Sequence, residues 1–218
     1  MDHSRAARNM VEKYVASRGI TDIRVMEAMA EVPRHLFVEE AFYGQAYTDN
    51  ALPIGEGQTI SKPYIVARMT EALELCGDER VLEVGGGSAY QSAILSRLVR
   101  EVFSIERLDS LAAKARRTLM TLRCSNVLYK VGDGTLGWPD KAPFDAILVA
   151  ASSPSVPEEL LKQLKERGRL VIPVGKGEEQ HLLRYKKLEG QIYKEEIENC
   201  KFVPLIGEQG WKECDLNA

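Results

Sequence analysis

Val81-Leu82-Glu83-Val84-Gly85-Gly86-Gly87-Ser88-Ala89-Tyr90 is the stretch that decides the fold. A short apolar strand, Val81 to Val84, runs into three glycines, and a helix follows over Ser88 to Leu98. Such a turn reverses the chain tightly, lets a ligand approach the backbone and aims helix N–H groups at it. Outward from it the alternation repeats: strand Val102 to Ile105, helix Asp109 to Leu119, strand Val127 to Val131. Strand Ala146 to Ala150, a helix from about Pro157 to Lys165 and strand Arg169 to Val174 continue it. Strands alternating with helices imply right-handed crossovers and a parallel sheet covered on both faces, so the fold class is α/β, doubly wound and mostly parallel. Beyond Gly175 the pattern changes. Gln180 to Tyr185 and Ile192 to Ile197, joined at Glu189-Gly190, read as antiparallel strands added to the sheet edge.

Ahead of the core, apolar residues recur at helical spacing over Ala6 to Ser17 and Asp22 to Ala30. Gly19 separates the two helices, Asp22 is the N-cap of the second, and Pro33 lies past its end. Tyr43 to Gln58 contains Gly44, Pro53, Gly55 and Gly57 without a clean period and reads as an irregular loop. Ser61 and Pro63 open another helix, its apolar face drawn through Ile65, Val66, Met69 and Leu73, before Gly77 stops it. The expected organisation is a single domain over 1–218: helices and a loop over 1–60, the α/β core over 61–175, and terminal strands with a substrate-side segment over 176–218.

The 218 residues are 44% hydrophobic, enough for one substantial core. A formal net charge of -3 gives no global basic field, so neither nucleic acid nor a membrane surface is an expected partner. No apolar run approaches the roughly 18 residues that cross a bilayer, and the polar start is not a signal core; a cytoplasmic monomer is expected. Cys76, Cys124, Cys200 and Cys214 form no C-x-x-C pair, and no histidine stands at ligand spacing. They read as reduced thiols, no metal is expected, and His35 and His181 read as structural.

In an open parallel sheet the ligand lies outside the carboxyl ends of the strands, so the residues just after each strand are the candidates. After the first strand stand Gly85, Gly86, Gly87 and Ser88. After the second comes Glu106, 19 positions beyond Gly87, where an acidic side chain receives a ribose diol. After the third come Gly132, Asp133 and Gly134, where the carboxylate could accept an adenine amine. Each has a plainer reading: a packing turn, a solvated strand-end charge, an Asx turn. Their order at consecutive strand ends points to an adenosine-containing ligand. The pattern leaves a dinucleotide and S-adenosylmethionine both open, although no lysine or arginine lies close to the turn to meet a pyrophosphate.

At these residues the chain resembles the protein-L-isoaspartate O-methyltransferases, a class I methyltransferase family, from about Val32 to Trp211. The likeness rests on Val32-Pro33-Arg34 with Phe37, on 47–55, on Gly57-Gln58-Thr59-Ile60-Ser61, on 81–85 and on 104–107. It continues through Gly132-Asp133-Gly134, Gly137-Trp138-Pro139, 142–147, 168–175 and Phe202-Val203-Pro204-Leu205-Ile206-Gly207. The Gln58 to Ser61 and Phe202 to Leu205 segments are the most particular to the family. The resemblance implies a Rossmann-like, seven-stranded fold. It also implies an S-adenosyl-L-methionine site, yielding S-adenosyl-L-homocysteine, at Gly85, Gly87, Ser88, Glu106, Gly132, Asp133 and Gly134. Ser61 is the residue it implicates in catalysis, and Thr59, Val203 and Leu205 would touch the substrate backbone. The implied substrates are proteins and peptides carrying L-isoaspartyl residues, methylated on the α-carboxylate as a step of repair. From spacing alone Ser61 is also an ordinary N-cap.

One departure concerns the glycine turn, where the family usually reads Gly-Thr-Gly-Ser-Gly-Tyr. Here Gly86 lacks the threonine side chain and Ala89 adds a methyl. If residue 89 lies inside the helix, as expected, alanine is favoured over glycine there by about 1 kcal/mol.

Overall fold

A computed structural model describes residues 2–216. Helices α1 (His3–Tyr14) and α2 (Ile23–Glu31) open the chain, and Asp22 caps α2 by accepting N–H bonds from Arg24 and Val25. The segment expected to be an irregular loop holds a 3-10 turn (Glu40–Gln45) and the first strand of a hairpin, β1 (Leu52–Gly55) and β2 (Gln58–Ile60). Leu52, Ile54 and Ile60 point inward, an alternation too short to stand out beside Pro53 and the glycines.

Helix α3 (Pro63–Ala72) starts one residue later than Ser61 would set it. Lys62 occupies the cap position without a capping bond, and the Tyr64 N–H donates instead to Asp49 Oδ1 at 3.1 Å. The Ser61 hydroxyl is therefore not a helix cap. Val66, Met69 and Leu73 are buried as expected, while Ile65 is half-buried.

The main sheet comprises β3 (Arg80–Val84), β4 (Glu101–Glu106), β5 (Val127–Val131), β6 (Phe144–Val149), β7 (Leu164–Lys176), β8 (Glu179–Leu188) and β9 (Gln191–Asn199). Its order is β5-β4-β3-β6-β7-β8-β9. The pairs from β5 through β7 are parallel, and β8 and β9 add antiparallel as an edge meander. Glu189 and Gly190, at φ 52° and 73°, form the tight connection between β8 and β9. Three helices complete the core: α4 (Tyr90–Leu95), α5 (Asp109–Thr121) and α6 (Glu158–Lys162). The chain builds outward from β3 to β5 and then returns to β6 on the other side, so the crevice at the carboxyl ends of β3 and β6 is the switch point where such sheets bind ligands.

Two expectations fail locally. Helix α6 ends at Lys162, because the chain enters β7 at Leu164, where Leu164 already pairs with Phe144. Helix α4 begins at Tyr90, and Ala89 lies ahead of it with φ 68°, in the left-handed region where L residues are strained by about 1–2 kcal/mol. Glycine is the unstrained choice at such a position. The Ala89 methyl is completely buried, and burying one such group returns about 0.8 kcal/mol, which offsets much of the strain.

One apolar cluster runs from Ala7 and Met10 through Met69 and Ile94 to Leu182, joining the amino-terminal helices to one face of the sheet. A second, built around Phe103, Phe144 and Leu170, fills the other face. Among the described residues no helix is long and apolar enough to cross a membrane.

Candidate active site

The crevice at the switch point holds a cleft lined by Gly85, Gly87, Glu106, Leu108, Gly134 and Leu205, together with Thr59 and Val203. Each wall has a local cause. The turn after β3 is formed by Gly85 and Gly87 at φ 83° and 51°, and the Gly85 and Gly86 N–H groups both donate to the Ile105 carbonyl, at 2.9 and 3.1 Å. The β1–β2 hairpin covers this turn: Ile54 stands 3.5 Å from where a side chain on Gly87 would begin.

Glu106, at the end of β4, is buried, and backbone groups hold both of its oxygens. The Gly87 N–H donates to Oε2 and the Leu108 N–H to Oε1, each at 2.8 Å. Each oxygen keeps a lone pair for a further donor. Asp133, beyond β5, is more engaged. Thr135 donates to Oδ1 through its N–H at 2.8 Å and its hydroxyl at 2.7 Å, while the Glu208 N–H donates to Oδ2 at 2.7 Å. The carboxylate is thus an Asx cap that also anchors the carboxy-terminal turn around Gly207, and an incoming amine would share Oδ2 with Glu208. Gly132 donates its N–H to the Glu106 carbonyl at 3.0 Å, and Gly134 packs against Val84. The Ser88 hydroxyl accepts from the Tyr90 N–H at 3.3 Å.

Beneath the turn lies a buried group the sequence did not single out. Glu83 accepts from the hydroxyls of Ser92 and of Ser104, the latter at 2.7 Å, and its Oε1 has no partner. Burial pushes its carboxyl up to about 7, against the two hydroxyl bonds that favour ionisation. Glu83 shares a small cavity with Ser61, Gly85 to Ser88 and Tyr90.

Ser61 and Thr59 line this inner cavity and also an open groove on the protein surface. The groove is walled by Arg18, Lys62, Tyr64, Glu198, Phe202 and Val203. Arg18, from the short turn after α1, lies over the Tyr64 ring at 3.5 Å and pairs with Asp49 at 2.8 Å; the Tyr64 hydroxyl donates to Glu198 at 3.0 Å. The amino-terminal segment therefore contributes to the groove as well as packing on the sheet. His35 and His181, which showed no partner in sequence, both have one: His35 Nδ1 lies 2.7 Å from the Tyr47 hydroxyl and its ring stacks on His3, while His181 Nδ1 lies 2.8 Å from Glu196. Among the described residues no group of three or more potential ligands could hold a metal ion.

A doubly wound sheet with a glycine turn after its central strand and a carboxylate held at the end of the next is the arrangement of proteins that bind an adenosine-containing ligand, class I methyltransferases among them. The model of the protein-L-isoaspartate(D-aspartate) O-methyltransferase family matches residues 5–210, and the chain belongs to that family. It is 57% identical over 208 residues to a protein-L-isoaspartate O-methyltransferase of Trichlorobacter lovleyi, covering 95% of this chain and 96% of that one. A Geobacter metallireducens protein of the same name is 54% identical, with 97% and 98% covered. Among solved structures, a protein-L-isoaspartate O-methyltransferase superposes with a TM-score of 0.83 at 29% identity, covering 95% of this chain and 67% of that one. A Plasmodium falciparum protein described as a beta-aspartate methyltransferase in complex with S-adenosyl-L-homocysteine gives a TM-score of 0.78 at 26% identity, covering 94% and 99%.

Proposed function

We propose that the protein transfers a methyl group from S-adenosyl-L-methionine to the α-carboxylate of L-isoaspartyl residues in damaged proteins and peptides. The observation that carries this reading is that Thr59 and Val203 line both the cleft and the groove, while Ser61 lines the groove and the cavity beneath the glycine turn. A methyl donor in the cleft and a peptide in the groove would meet there.

The cleft fits the donor. In the cleft Glu106 would offer lone pairs to ribose hydroxyls and Gly85 and Gly87 backbone to the methionine portion, with Ser88 next to them in the turn; Asp133, outside the cleft lining but beside Gly134, would take the adenine amine at Oδ2 between Gly132 and Gly134. Glu83, whose buried Oε1 has no partner, lines the cavity beneath the turn, where an ammonium group would complete it. The bound donor supplies a methyl group on a sulfonium, a leaving group that already carries positive charge.

The chain's own task is geometric. A carboxyl group with an ordinary pKa of about 4 is ionised at neutral pH, so no general base is needed. Ser61 donates a hydrogen bond that orients the attacking carboxylate, and holding the reactants in line can contribute about 7–11 kcal/mol in well-arranged reactions. Thr59, Val203 and Leu205 hold the peptide backbone; Leu205 is fixed by its own N–H bond to the Ser152 carbonyl at 2.7 Å. The methyl ester then closes spontaneously to a succinimide, whose hydrolysis returns part of the material to L-aspartyl. We place the enzyme in the cytoplasm as a monomer of one domain. The exposed thiol of Cys76 suits a reducing compartment, and the exposed large apolar side chains are scattered: Ile23 and Leu36 in the amino-terminal region, Met120 and Leu128 near β5, and Leu188, Ile192 and Tyr193 on β8 and β9.

The test is methyl transfer from labelled S-adenosyl-L-methionine to two peptides that differ only in aspartyl against isoaspartyl, with Ser61→Ala alongside. Transfer confined to the isoaspartyl peptide and reduced about 100-fold in the variant is expected. Equal transfer to both peptides would overturn the substrate assignment.

A further inference from the structure

Arg34 has no side-chain surface in contact with solvent, yet among the described residues no carboxylate lies within ion-pair distance of it. Asp49, whose charge acts on Arg34 at longer range, is committed to Arg18 and to the Tyr64 N–H. The guanidinium instead donates to three carbonyls on separate segments: Nε to Ala46 at 2.8 Å, and Nη2 to Ser61 at 2.7 Å and to Asn50 at 3.4 Å. Its plane lies 4.7 Å from the centroid of Tyr90, the first residue of α4. Arg34 Nη1 and the Tyr90 hydroxyl are buried without hydrogen-bond partners. Burial also lowers the Arg34 pKa, the sign of a cation held where water cannot reach it.

A buried cation without a direct ion pair is costly, and three carbonyls could be tied by neutral donors at less expense. The charge and the fork geometry of arginine both need a use. Ser61 sits between β2 and α3 with no capping role, so its backbone is held from behind chiefly by the Nη2 bond. That bond fixes the pivot from which the Ser61 hydroxyl reaches the cavity, and Tyr90 lines the same cavity.

We propose that Arg34 is a positioning residue for methyl transfer. It locks the Ser61 corner through the carbonyl bonds, and its buried charge behind that corner, with no direct ion pair, draws the isoaspartyl carboxylate toward Ser61. The two parts act on different kinetic constants. Orientation of Ser61 governs turnover, whereas the fixed charge governs capture of the anionic substrate. The inference rests on the isoaspartyl reading of the function.

The experiment compares Arg34→Lys, which keeps the charge and loses the fork, with Arg34→Gln, which loses both, in the full chain with an isoaspartyl peptide. Arg34→Lys is expected to lower kcat by at least about 10-fold with KM within about 3-fold of wild type. Arg34→Gln is expected to lower kcat similarly and also to raise KM by about 10-fold, with S-adenosyl-L-homocysteine affinity unchanged in both. A second readout needs no substrate. In S61C the alkylation rate of the introduced thiol, followed by peptide mapping, should change at least about 5-fold when Arg34→Lys is added. Wild-type kinetics in Arg34→Lys together with an unchanged alkylation rate would overturn the proposal. So would variants that lose cofactor affinity and thermal stability in proportion to activity, since Arg34 would then be structural only. If the wild-type enzyme fails to methylate the peptide, the functional reading falls, and the alkylation rates still decide whether Arg34 positions residue 61.

Discussion

Gly86 carries a sharp prediction, because the residue usual in the family at this position is excluded here by particular atoms. A methyl built on Gly86 would lie 2.4 Å from Ser104 Oγ, 2.4 Å from the Tyr129 hydroxyl and 2.8 Å from Tyr129 Cζ. The serine can swing away only by giving up its 2.7 Å bond to Glu83, a loss of about 1 kcal/mol. The tyrosine ring extends from β5 and must shift bodily, and overpacking of this kind costs about 1–3 kcal/mol. Gly86→Ala should therefore destabilise the fold by about 2–4 kcal/mol. For a chain of this length that lowers Tm by roughly 4–16 °C in calorimetry. It should also weaken binding of S-adenosyl-L-homocysteine, because Gly86 is part of the turn that Glu106 and Ile105 hold. Combining it with Tyr129→Leu, which removes the obstructing hydroxyl and ring, should recover at least about 1 kcal/mol relative to the sum of the single changes. Gly86→Ala with a wild-type Tm and unaltered ligand affinity would refute the steric account.

Glu106→Gln leaves an amide where one of two backbone N–H groups now finds a carboxylate oxygen, and a charged hydrogen bond contributes about 1.5–3 kcal/mol. Isothermal titration should show ligand binding weakened by roughly 10–100-fold, and unchanged affinity would remove Glu106 from the site. Glu83 gives a pH dependence. Its folded-state pKa of about 7 stands above the unfolded value, so the neutral form is the one the fold prefers. The associated stability is fully present below about pH 4.3 and is lost as pH rises to about 7, by up to roughly 4 kcal/mol. Glu83→Gln cannot lose it, so the stability difference between variant and wild type, measured by urea unfolding, should move in favour of the variant across that window and level off above it. A difference that stays flat from pH 4 to 8 would show that Glu83 is ionised throughout.

The alternation of elements from Val81 to Val174 was legible because the inner strands β3, β4 and β6 are buried on both faces and read as short apolar runs. That Gly85, Glu106 and Asp133 stand at or just past three successive strand ends followed from the alternation alone. What escaped depended on contacts between distant segments. The β1–β2 hairpin is held by Leu52, Ile54 and Ile60 meeting the core, not by any local period. Ala89 looked helical because alanine is a good helix former, whereas the turn after β3 forces it to φ 68° ahead of the helix. Ser61 looked like a cap because a proline follows two positions later; Asp49, remote in sequence, supplies the capping acceptor instead. Arg34 appeared in sequence only as part of a family segment. Its role emerges from three carbonyls at residues 46, 50 and 61 that no local pattern links.

The two halves of the site are built by opposite means, and the difference suits the chemistry. On the proposed donor side the polar groups are already tied by the fold: both oxygens of Glu106 accept from backbone N–H groups, and Asp133 accepts from Thr135 and Glu208. One small molecule of fixed shape can be met by a surface of fixed shape. The acceptor side is assembled from Arg18, Thr59 to Tyr64 and Glu198 to Val203, segments that meet only in the folded chain and form a groove open to solvent. An isoaspartyl residue arises in many sequences, so the groove gains little from reading side chains and must grip what all such substrates share, their backbone and the freed carboxylate. Precision is then required at one point only, the Ser61 corner. That is where the fold places a buried cation and three carbonyl bonds, and it is the place where a small displacement should reduce turnover most.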